Sequence, residues 1–357
     1  MNLDRINKLR NNFSVYGIDG IYITNITNVR YLTGFTGSAG SLLIIDNGSH
    51  FFTDGRYTEQ VKDQVKNSQI HITGSSHIKE IQIQNLLNKN YKIGFESDHM
   101  TYSAFQLLKN SFSNINWIET SSMVELIAAI KDQDEISYLK TAVEITDKVF
   151  DDILPMLKEG VSENKVAATM SYKFKEYGAE GDSYDPIVAS GWRSALPHAT
   201  PTEKCFEKGD FVVMDFGALY NGYHADMTRT VVIGGATDRH KEIYNIVLES
   251  QLAGIDKARA GITGADVDSA CRTIIDNAGY GRYFNHSTGH GLGLEVHTLP
   301  RLSSANKEPL LENYVVTIEP GIYLPGWGGV RIEDDCWIKS DSCEPLNTST
   351  KELLSLV

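Results

Sequence analysis

The strongest constraint on the fold is a short apolar run, residues 211–217, that contains one carboxylate, Asp215. Its length and its β-branched residues favour a strand over a helix. A second apolar run, 226–233, opens with Asp226 after a turn rich in Gly, Asn and Tyr. Two strands joined this closely are predicted to form an antiparallel hairpin, with the two carboxylates opposite each other near one end.

Two carboxylates buried in an apolar sheet carry a high energetic cost unless they are paired. A divalent cation between Asp215 and Asp226 would remove that cost. The simpler alternative is that one Asp faces solvent and the other caps a turn. The choice between them depends on further acidic residues elsewhere in the chain.

Size and charge restrict the class of protein. The 357 residues exceed the length at which a single core usually stops growing, so two domains are expected. A formal net charge of −13 argues against nucleic acid or an anionic membrane as a partner.

The amino terminus lacks the apolar segment of a secretory signal, and no apolar stretch of about 18 residues predicts a membrane span. The four cysteines form no CxxC pair, which favours a reducing compartment over a disulfide framework. We therefore expect a cytoplasmic protein with no membrane partner.

Secondary-structure patterns change along the chain. Strand and helix signals alternate over the first third, as in a compact α/β domain, and a charged break follows at 131–135. We predict an α+β protein with domains at 1–127 and 128–357. The second domain is predicted to contain helices at 136–153, 161–177, 237–260 and 265–278, and strands at 184–190, 211–217, 226–233, 314–319 and 329–339.

Acidic residues also mark a second predicted hairpin, 314–319 with 329–339. Glu319 ends its first strand, and Arg331 and Glu333 are predicted to share one face of its second strand because side chains alternate. His290 lies between the two hairpins and is flanked by glycines. Four carboxylates and one imidazole suit a pair of hard-to-borderline cations such as Mn²⁺ or Co²⁺.

Other histidine patterns are weaker. His286 and His290 have the spacing of a zinc-binding pair on a helix, but the neighbouring glycines disfavour a helix there. The remaining histidines outside the motifs are expected at the surface: His50, His71, His77, His99, His224 and His240.

The motifs taken together resemble those of the M24 "pita-bread" metallopeptidases, in the Xaa-Pro dipeptidase (prolidase) and aminopeptidase P branch. They occur in the same order as in that family, at 187–191, 194–198, 215–217, 226–229, 290–297, 318–321 and 330–334. The amino-terminal third resembles the creatinase-type domain that accompanies this branch. The resemblance implies a smaller creatinase-like α/β domain followed by a pita-bread catalytic domain.

The resemblance also implies the site residues. The ligands of two metal ions would be Asp215, Asp226, His290, Glu319 and Glu333, with Asp226 and Glu333 bridging both ions. Mn²⁺ is expected, with Co²⁺ or Zn²⁺ as alternatives. His198 and His297 would face the substrate, and Thr228 and Arg331 would hold the carboxylates from behind.

The implied reaction is hydrolysis of the peptide bond between an N-terminal residue and a following proline. A hydroxide bridging the ions would attack the carbonyl, with Glu319 as proton shuttle and His297 as oxyanion stabiliser. Arg301 stands where prolidases carry an arginine, and its guanidinium would clamp the free carboxylate of a dipeptide. This favours an Xaa-Pro dipeptidase, with Arg301 as a surface residue being the alternative.

Three other functions stay open at this point. Residues 34–40 and 52–57 are more typical of aminopeptidase P, which acts on longer peptides. A metal-free binding module is disfavoured because every ligand position is intact. A methionine aminopeptidase is disfavoured by the additional amino-terminal domain. The resemblance further implies a homodimer and small peptide substrates with proline at position two.

Overall fold

The computed structural model describes residues 2–74, 76–88 and 90–356. Its contacts divide the chain into two compact units, Met1–Ala128 and Ala129–Val357. The predicted domains, a creatinase-like domain at 1–127 and a catalytic domain at 128–357, stay predictions. No helix within the described ranges combines the length and apolar character needed to cross a bilayer.

The first unit is a mixed sheet accompanied by helices. Within its described residues the strand order is β4-β3-β2-β1-β5-β6, with antiparallel pairing of β1 to β2 and β2 to β3. The strands are β1 (Gly20–Ile23), β2 (Ser41–Ile45), β3 (Gly48–Asp54), β4 (Gln69–Thr73), β5 (Lys92–Glu96) and β6 (Asn116–Thr120). The helices are α1 (Asn2–Asn11), α2 (Phe13–Tyr16), α3 (Ile26–Thr33), α4 (Gln60–Gln64), α5 (His77–Ile83), α6 (Tyr102–Ser111) and α7 (Met123–Ala129).

Long helices of the second unit begin at capping residues that the sequence supplies. Asp132 accepts from the backbone N–H of Glu135, whose side chain accepts from the N–H of Asp132, so the first turn is satisfied reciprocally. The same arrangement joins Thr263 and Asp266 at a later helix. The helices are α8 (Gln133–Ile153), α9 (Glu163–Glu176), α10 (Asp238–Lys257) and α11 (Gly264–Asn277).

Two antiparallel-rich sheets dominate the second unit, with orders β20-β12-β9-β8 and β14-β13-β15-β18-β19. Two small sheets, β11-β10-β7 and β16-β17, accompany them. The strands are β7 (Gly181–Asp182), β8 (Ile187–Ser190), β9 (Phe211–Phe216), β10 (Ala218–Tyr220), β11 (Tyr223–His224), β12 (Met227–Ile233), β13 (Gly289–Gly291), β14 (Thr298–Leu302), β15 (Val315–Ile318), β16 (Gly321–Leu324), β17 (Gly328–Arg331), β18 (Asp334–Ile338), β19 (Cys343–Pro345) and β20 (Ser355–Leu356).

The predicted first hairpin is confirmed, but the prediction that its two carboxylates lie opposite each other is wrong. Strands β9 and β12 pair antiparallel with Asp215 opposite Thr228, and Asp226 lies just before β12. Because side chains alternate, Val212, Met214 and Val231 pack into a core that includes residues of α8 and α9, while Asp215 and Thr228 point to the other face. The apolar alternation therefore places the carboxylates on the face away from this core.

The second predicted hairpin is only partly right. Strand β15 pairs with β18, but the predicted strand 329–339 is interrupted at residues 332–333. Residues before the interruption form β17, which folds back on β16 in a separate two-stranded sheet. The prediction of one continuous strand is therefore wrong, because two different partners pair with its two halves, although Arg331 and Glu333 both line the same cavity.

Several histidines expected at the surface are buried instead. His50 and His71 lie side by side in the first unit, with Nδ1 of His50 3.2 Å from Nε2 of His71. His240 completes the first turn of α10, where its Nδ1 accepts from the backbone N–H of Thr237 at 3.1 Å. Each ring packs against aromatic neighbours, which accounts for its burial without a role in chemistry.

Candidate metal centre

One cavity of about 210 Å³ collects the acidic residues of both hairpins. Its lining contains every predicted metal ligand and every residue predicted to face the substrate. The lining residues are Tyr184, Ile187, Pro197, His198, Asp215, Asp226, His286, Ser287, His290, Val296, His297, Arg301, Glu319, Arg331 and Glu333. The described chain thus brings together segments that are more than 100 residues apart in sequence.

Asp215 and Asp226 share a partner that the sequence did not reveal. The hydroxyl of Tyr184 contacts Oδ1 of both carboxylates. A phenol has one hydrogen, so it can donate to only one of the two oxygens. The other oxygen needs a proton or a cation of its own. Burial, followed by repulsion from Asp215, raises the pKa of Asp226 well above its usual value.

His290 is oriented as a metal-binding imidazole. Its Nδ1 lies 3.1 Å from the carbonyl oxygen of Gly291, which can only accept, so Nδ1 carries the proton. Burial, followed by the proximity of His297, lowers the pKa of His290 to about 3, which keeps the ring neutral. The unprotonated Nε2 lies 3.4 Å from Oε1 of Glu319 and 3.6 Å from Oδ2 of Asp226. This fixed tautomer is typical of histidine metal ligands.

Glu333 completes a set of three buried groups. One ligand atom each from Asp226, His290 and Glu333 lies within 4.8 Å of the other two. The backbone N–H of Glu333 donates to the carbonyl of Thr228 at 3.2 Å, which joins the interrupted strand to β12. The interruption at residues 332–333 therefore delivers this carboxylate to the face that carries Asp226.

Arg331 and Thr228 hold two of the carboxylates in place through hydrogen bonds. Arg331 donates from Nη2 to Oδ2 of Asp215 and from Nε to the Thr228 hydroxyl at 2.9 Å. Thr228 in turn donates to Oε2 of Glu333 at 2.6 Å. One guanidinium thus fixes one carboxylate directly and a second through a hydroxyl. The hydrogen bonds match the supporting positions predicted for both residues, although their roles stay a prediction.

Three residues predicted to contact the substrate lie at the exposed rim of the cavity. His198, His297 and Arg301 are each exposed, whereas Asp226, His290 and Glu333 are buried. The His297 ring packs edge-on against His290, with ring centroids 4.4 Å apart. The guanidinium of Arg301 has no hydrogen-bonding or ion-pair partner within residues 2–74, 76–88 and 90–356. It is thus free to bind an anion that enters the cavity.

The carboxylates at the base of the cavity need either protons or a cation. Four carboxylates face one buried guanidinium, that of Arg331. Burial raises the pKa of Glu319 to about 8, and burial with repulsion from Asp226 raises the pKa of Glu333 well above its usual value. Oxygen ligands with one imidazole fit divalent cations of the Mn²⁺ type. The donor set therefore fits the metal centre that the sequence predicts.

The raised pKa values predict how pH changes the stability of metal-free protein. Between about pH 4.5 and 8 the folded chain binds more protons at Glu319 than the unfolded chain, so the free energy of unfolding falls as pH rises. Added Mn²⁺ takes the place of those protons. We expect the rise in Tm on adding Mn²⁺ to be larger at pH 8 than at pH 5.5, as measured by calorimetry. An equal rise at both pH values contradicts this linkage.

The sequence patterns assigned no role to three residues that contact the site, Tyr184, His286 and Tyr323. The predicted strand 184–190 corresponds to β8, which begins only at Ile187, so Tyr184 lies before the strand. His286 accepts at Nε2 from the hydroxyl of Tyr323 at 2.9 Å, and that hydroxyl accepts from Nη1 of Arg331 at 2.8 Å. Burial, followed by the charge of Arg331, lowers the pKa of His286 to about 4. The sequence signal that marked His286 was its spacing from His290, although these two residues do not lie on a helix.

The chain matches two family models along most of its length. Residues 137–340 match the model described as Metallopeptidase family M24. Residues 5–130 match the model described as Creatinase/Prolidase N-terminal domain. The first match spans the described cavity in full.

Individual relatives match over nearly their whole length. An Xaa-Pro dipeptidase of Pyrococcus horikoshii is 37% identical over 351 residues, which cover 98% of this chain and 99% of that protein. The solved structure of an Xaa-Pro dipeptidase from Bacillus anthracis has a TM-score of 0.96 at 44% identity and covers 100% of each chain. An X-Pro aminopeptidase from Thermotoga maritima has a TM-score of 0.88 at 40% identity, covering 95% of this chain and 98% of its own.

Proposed function

This chain belongs to metallopeptidase family M24, and from that membership we propose that it is an Xaa-Pro dipeptidase. One observation carries the proposal: a cavity whose base holds four carboxylates and a neutral imidazole has the guanidinium of Arg301 at its rim, with no hydrogen-bonding or ion-pair partner among the residues that the structure describes. The base suits metal-assisted hydrolysis, and the rim suits a substrate with a free carboxylate close to the scissile bond.

Family membership implies divalent cations, and we propose two Mn²⁺ ions, with Co²⁺ or Zn²⁺ as alternatives. The residues that would hold them are Asp215, Asp226, His290, Glu319 and Glu333. When bound, such a pair of cations supplies Lewis-acid activation of water and of the substrate carbonyl.

Glu319 is the proposed proton carrier. Its carboxylate lies at the base of the cavity, with Oε1 3.4 Å from Nε2 of His290. A carboxylate in this position can take a proton from the attacking water and later deliver it to the proline nitrogen. That nitrogen carries no hydrogen in the peptide, so protonation is needed to expel it as an amine.

The rim residues orient the substrate. Partial desolvation of the ring at the rim, followed by the charge of Arg301, lowers the pKa of His297, so its neutral ring can donate one hydrogen bond to the oxygen on which negative charge develops. His198 lies beside Pro197 on the same cavity wall and is proposed to contact the proline side of the substrate. Arg301 is proposed to bind the terminal carboxylate with both arms of its guanidinium.

The test is hydrolysis of an Xaa-Pro dipeptide and the matching Xaa-Pro-Yaa tripeptide by chelator-treated protein, with and without Mn²⁺, Co²⁺ or Zn²⁺. We expect activity that needs the metal and prefers the dipeptide, with Mn²⁺ giving the highest kcat. A dipeptide in which Ala replaces Pro is the matched control substrate. Cleavage of the tripeptide alone would favour an aminopeptidase, and activity without metal would contradict the proposed chemistry.

We also propose a cytoplasmic homodimer with a catalytic domain at 128–357 and a creatinase-like domain at 1–127. Free thiols on all four cysteines support a reducing compartment. The homodimer rests on the family resemblance.

A further inference from the structure

Arg229 is a fully buried cation outside the cavity, only 1% exposed, and all five of its N–H donors are used. Nε donates to the carbonyl of Thr350 at 3.0 Å. Nη1 donates to the carbonyls of Thr228 at 3.0 Å and Glu333 at 2.6 Å. Nη2 donates to Oδ1 of Asp334 at 2.7 Å and to the carbonyl of Ser349 at 2.9 Å.

These acceptors belong to three segments that are distant in sequence. Thr228 lies in β12 beside Asp226, Glu333 lies in the interruption before β18, and Ser349 lies near the carboxyl terminus. Glu333 is a proposed metal ligand, and the Thr228 hydroxyl donates to its carboxylate. Arg229 therefore fixes the backbone of the ligand and the backbone of the residue that orients it with a single rigid group.

Arg229 forms its ion pair with a residue outside the proposed ligand set. Its ionic partner is Asp334, which also binds Nζ of Lys351 at 2.6 Å and Nε2 of Gln251 at 3.0 Å. Within the described residues Arg229 makes no hydrogen bond or ion pair to a proposed ligand carboxylate, so it does not compete with a cation for these groups. Its effect on the cavity is the placement of main-chain atoms.

The carboxyl-terminal segment is held from a second side as well. Asp147 in α8 accepts from the backbone N–H and hydroxyl of Thr348 at 2.6 and 2.8 Å, and from the hydroxyl of Ser349 at 2.6 Å. Asp147 makes no hydrogen bond to β12 or to Glu333 in the described chain. Arg229 and Asp147 thus secure the same segment, and of these two residues it is Arg229 that hydrogen-bonds to the ligand-bearing strands as well.

We propose that Arg229 is a positioning residue of the metal centre, which sets Glu333 against Thr228 and braces both against residues 349–350. This inference rests on the proposed metal site. A lysine cannot replace the arginine, because an ammonium group offers three donors without the planar fork that reaches five acceptors. Loss of a group that supports metal ligands typically costs about 10- to 100-fold in metal affinity.

The experiment compares Arg229→Lys with Asp147→Asn, which loosens the same terminal segment away from the ligands. Mn²⁺ affinity of chelator-treated protein is measured by titration calorimetry, and Tm is measured without metal. We expect both variants to lose Tm, but only Arg229→Lys to bind Mn²⁺ roughly 10- to 100-fold more weakly. At saturating Mn²⁺ its kcat should return to within about threefold of the wild-type value, because no reacting group has been removed.

Unchanged Mn²⁺ affinity in Arg229→Lys, or an equal loss in Asp147→Asn, would overturn the inference. If Arg229→Lys does not fold, Asp334→Asn is measured in the same way, since it weakens the hold on Nη2 while keeping the side-chain size. Weaker Mn²⁺ binding by that variant supports the inference and unchanged binding overturns it. Failure of the wild-type protein to bind Mn²⁺, Co²⁺ or Zn²⁺ would instead refute the proposed metal centre.

Discussion

Replacing Glu319 with Gln is expected to lower kcat for an Xaa-Pro dipeptide by at least about 10³-fold, which corresponds to about 4 kcal/mol in the activation free energy. The amide cannot carry the proton from the attacking water to the proline nitrogen. The wild-type carboxylate lies at the base of the cavity, with Oε1 3.4 Å from Nε2 of His290, where it can gain and lose a proton as the amide cannot. Steady-state kinetics at saturating Mn²⁺ measure the effect.

The matched control for this variant is Glu312→Gln, which makes the same chemical change at an exposed position. It should leave kcat within about twofold of the wild-type value, since surface substitutions are usually near neutral. Calorimetric titration of Glu319→Gln with Mn²⁺ separates loss of the proton carrier from loss of a ligand. Near-normal kcat in Glu319→Gln would refute the proton-carrier role, whatever its metal content.

Replacing Arg301 with Ala is expected to raise KM for an Xaa-Pro dipeptide by roughly 10- to 100-fold. A charge-assisted hydrogen-bonded pair is worth about 1.5–3 kcal/mol, and about 1.4 kcal/mol corresponds to tenfold. KM for an Xaa-Pro-Yaa tripeptide should change much less, because its carboxylate lies one residue further from the scissile bond. The ratio of the two kcat/KM values is therefore the decisive measurement.

Two further variants make the Arg301 result specific. Arg301→Lys keeps the charge but loses the planar fork, so it should recover only part of the dipeptide activity. Arg282→Ala removes an exposed arginine that does not line the cavity, and it should leave KM unchanged. If Arg301→Ala lowers dipeptide and tripeptide hydrolysis equally, the guanidinium does not recognise the terminal carboxylate.

The family matches confirm the predicted family, M24, and the predicted fold class, a creatinase-like domain followed by a pita-bread domain. Local patterns were sufficient for the β9–β12 hairpin, because a period of two fixes which side chains share a face. The same rule failed for 329–339, where it assumed one continuous strand. Whether a strand is interrupted depends on its pairing partners, and these come from distant parts of the chain.

The sequence alone determined the chemical inventory of the site: carboxylates at the ends of apolar strands, and a histidine between glycines. Their convergence in one cavity was decided by tertiary structure, through contacts such as the hydrogen bond from Glu333 to Thr228. Tyr184 and Tyr323 entered the site in the same way, since neither lies in a pattern that marks it. The physical reason is that periodicity records the local backbone state, whereas the meeting of distant segments follows from the packing of whole sheets and helices.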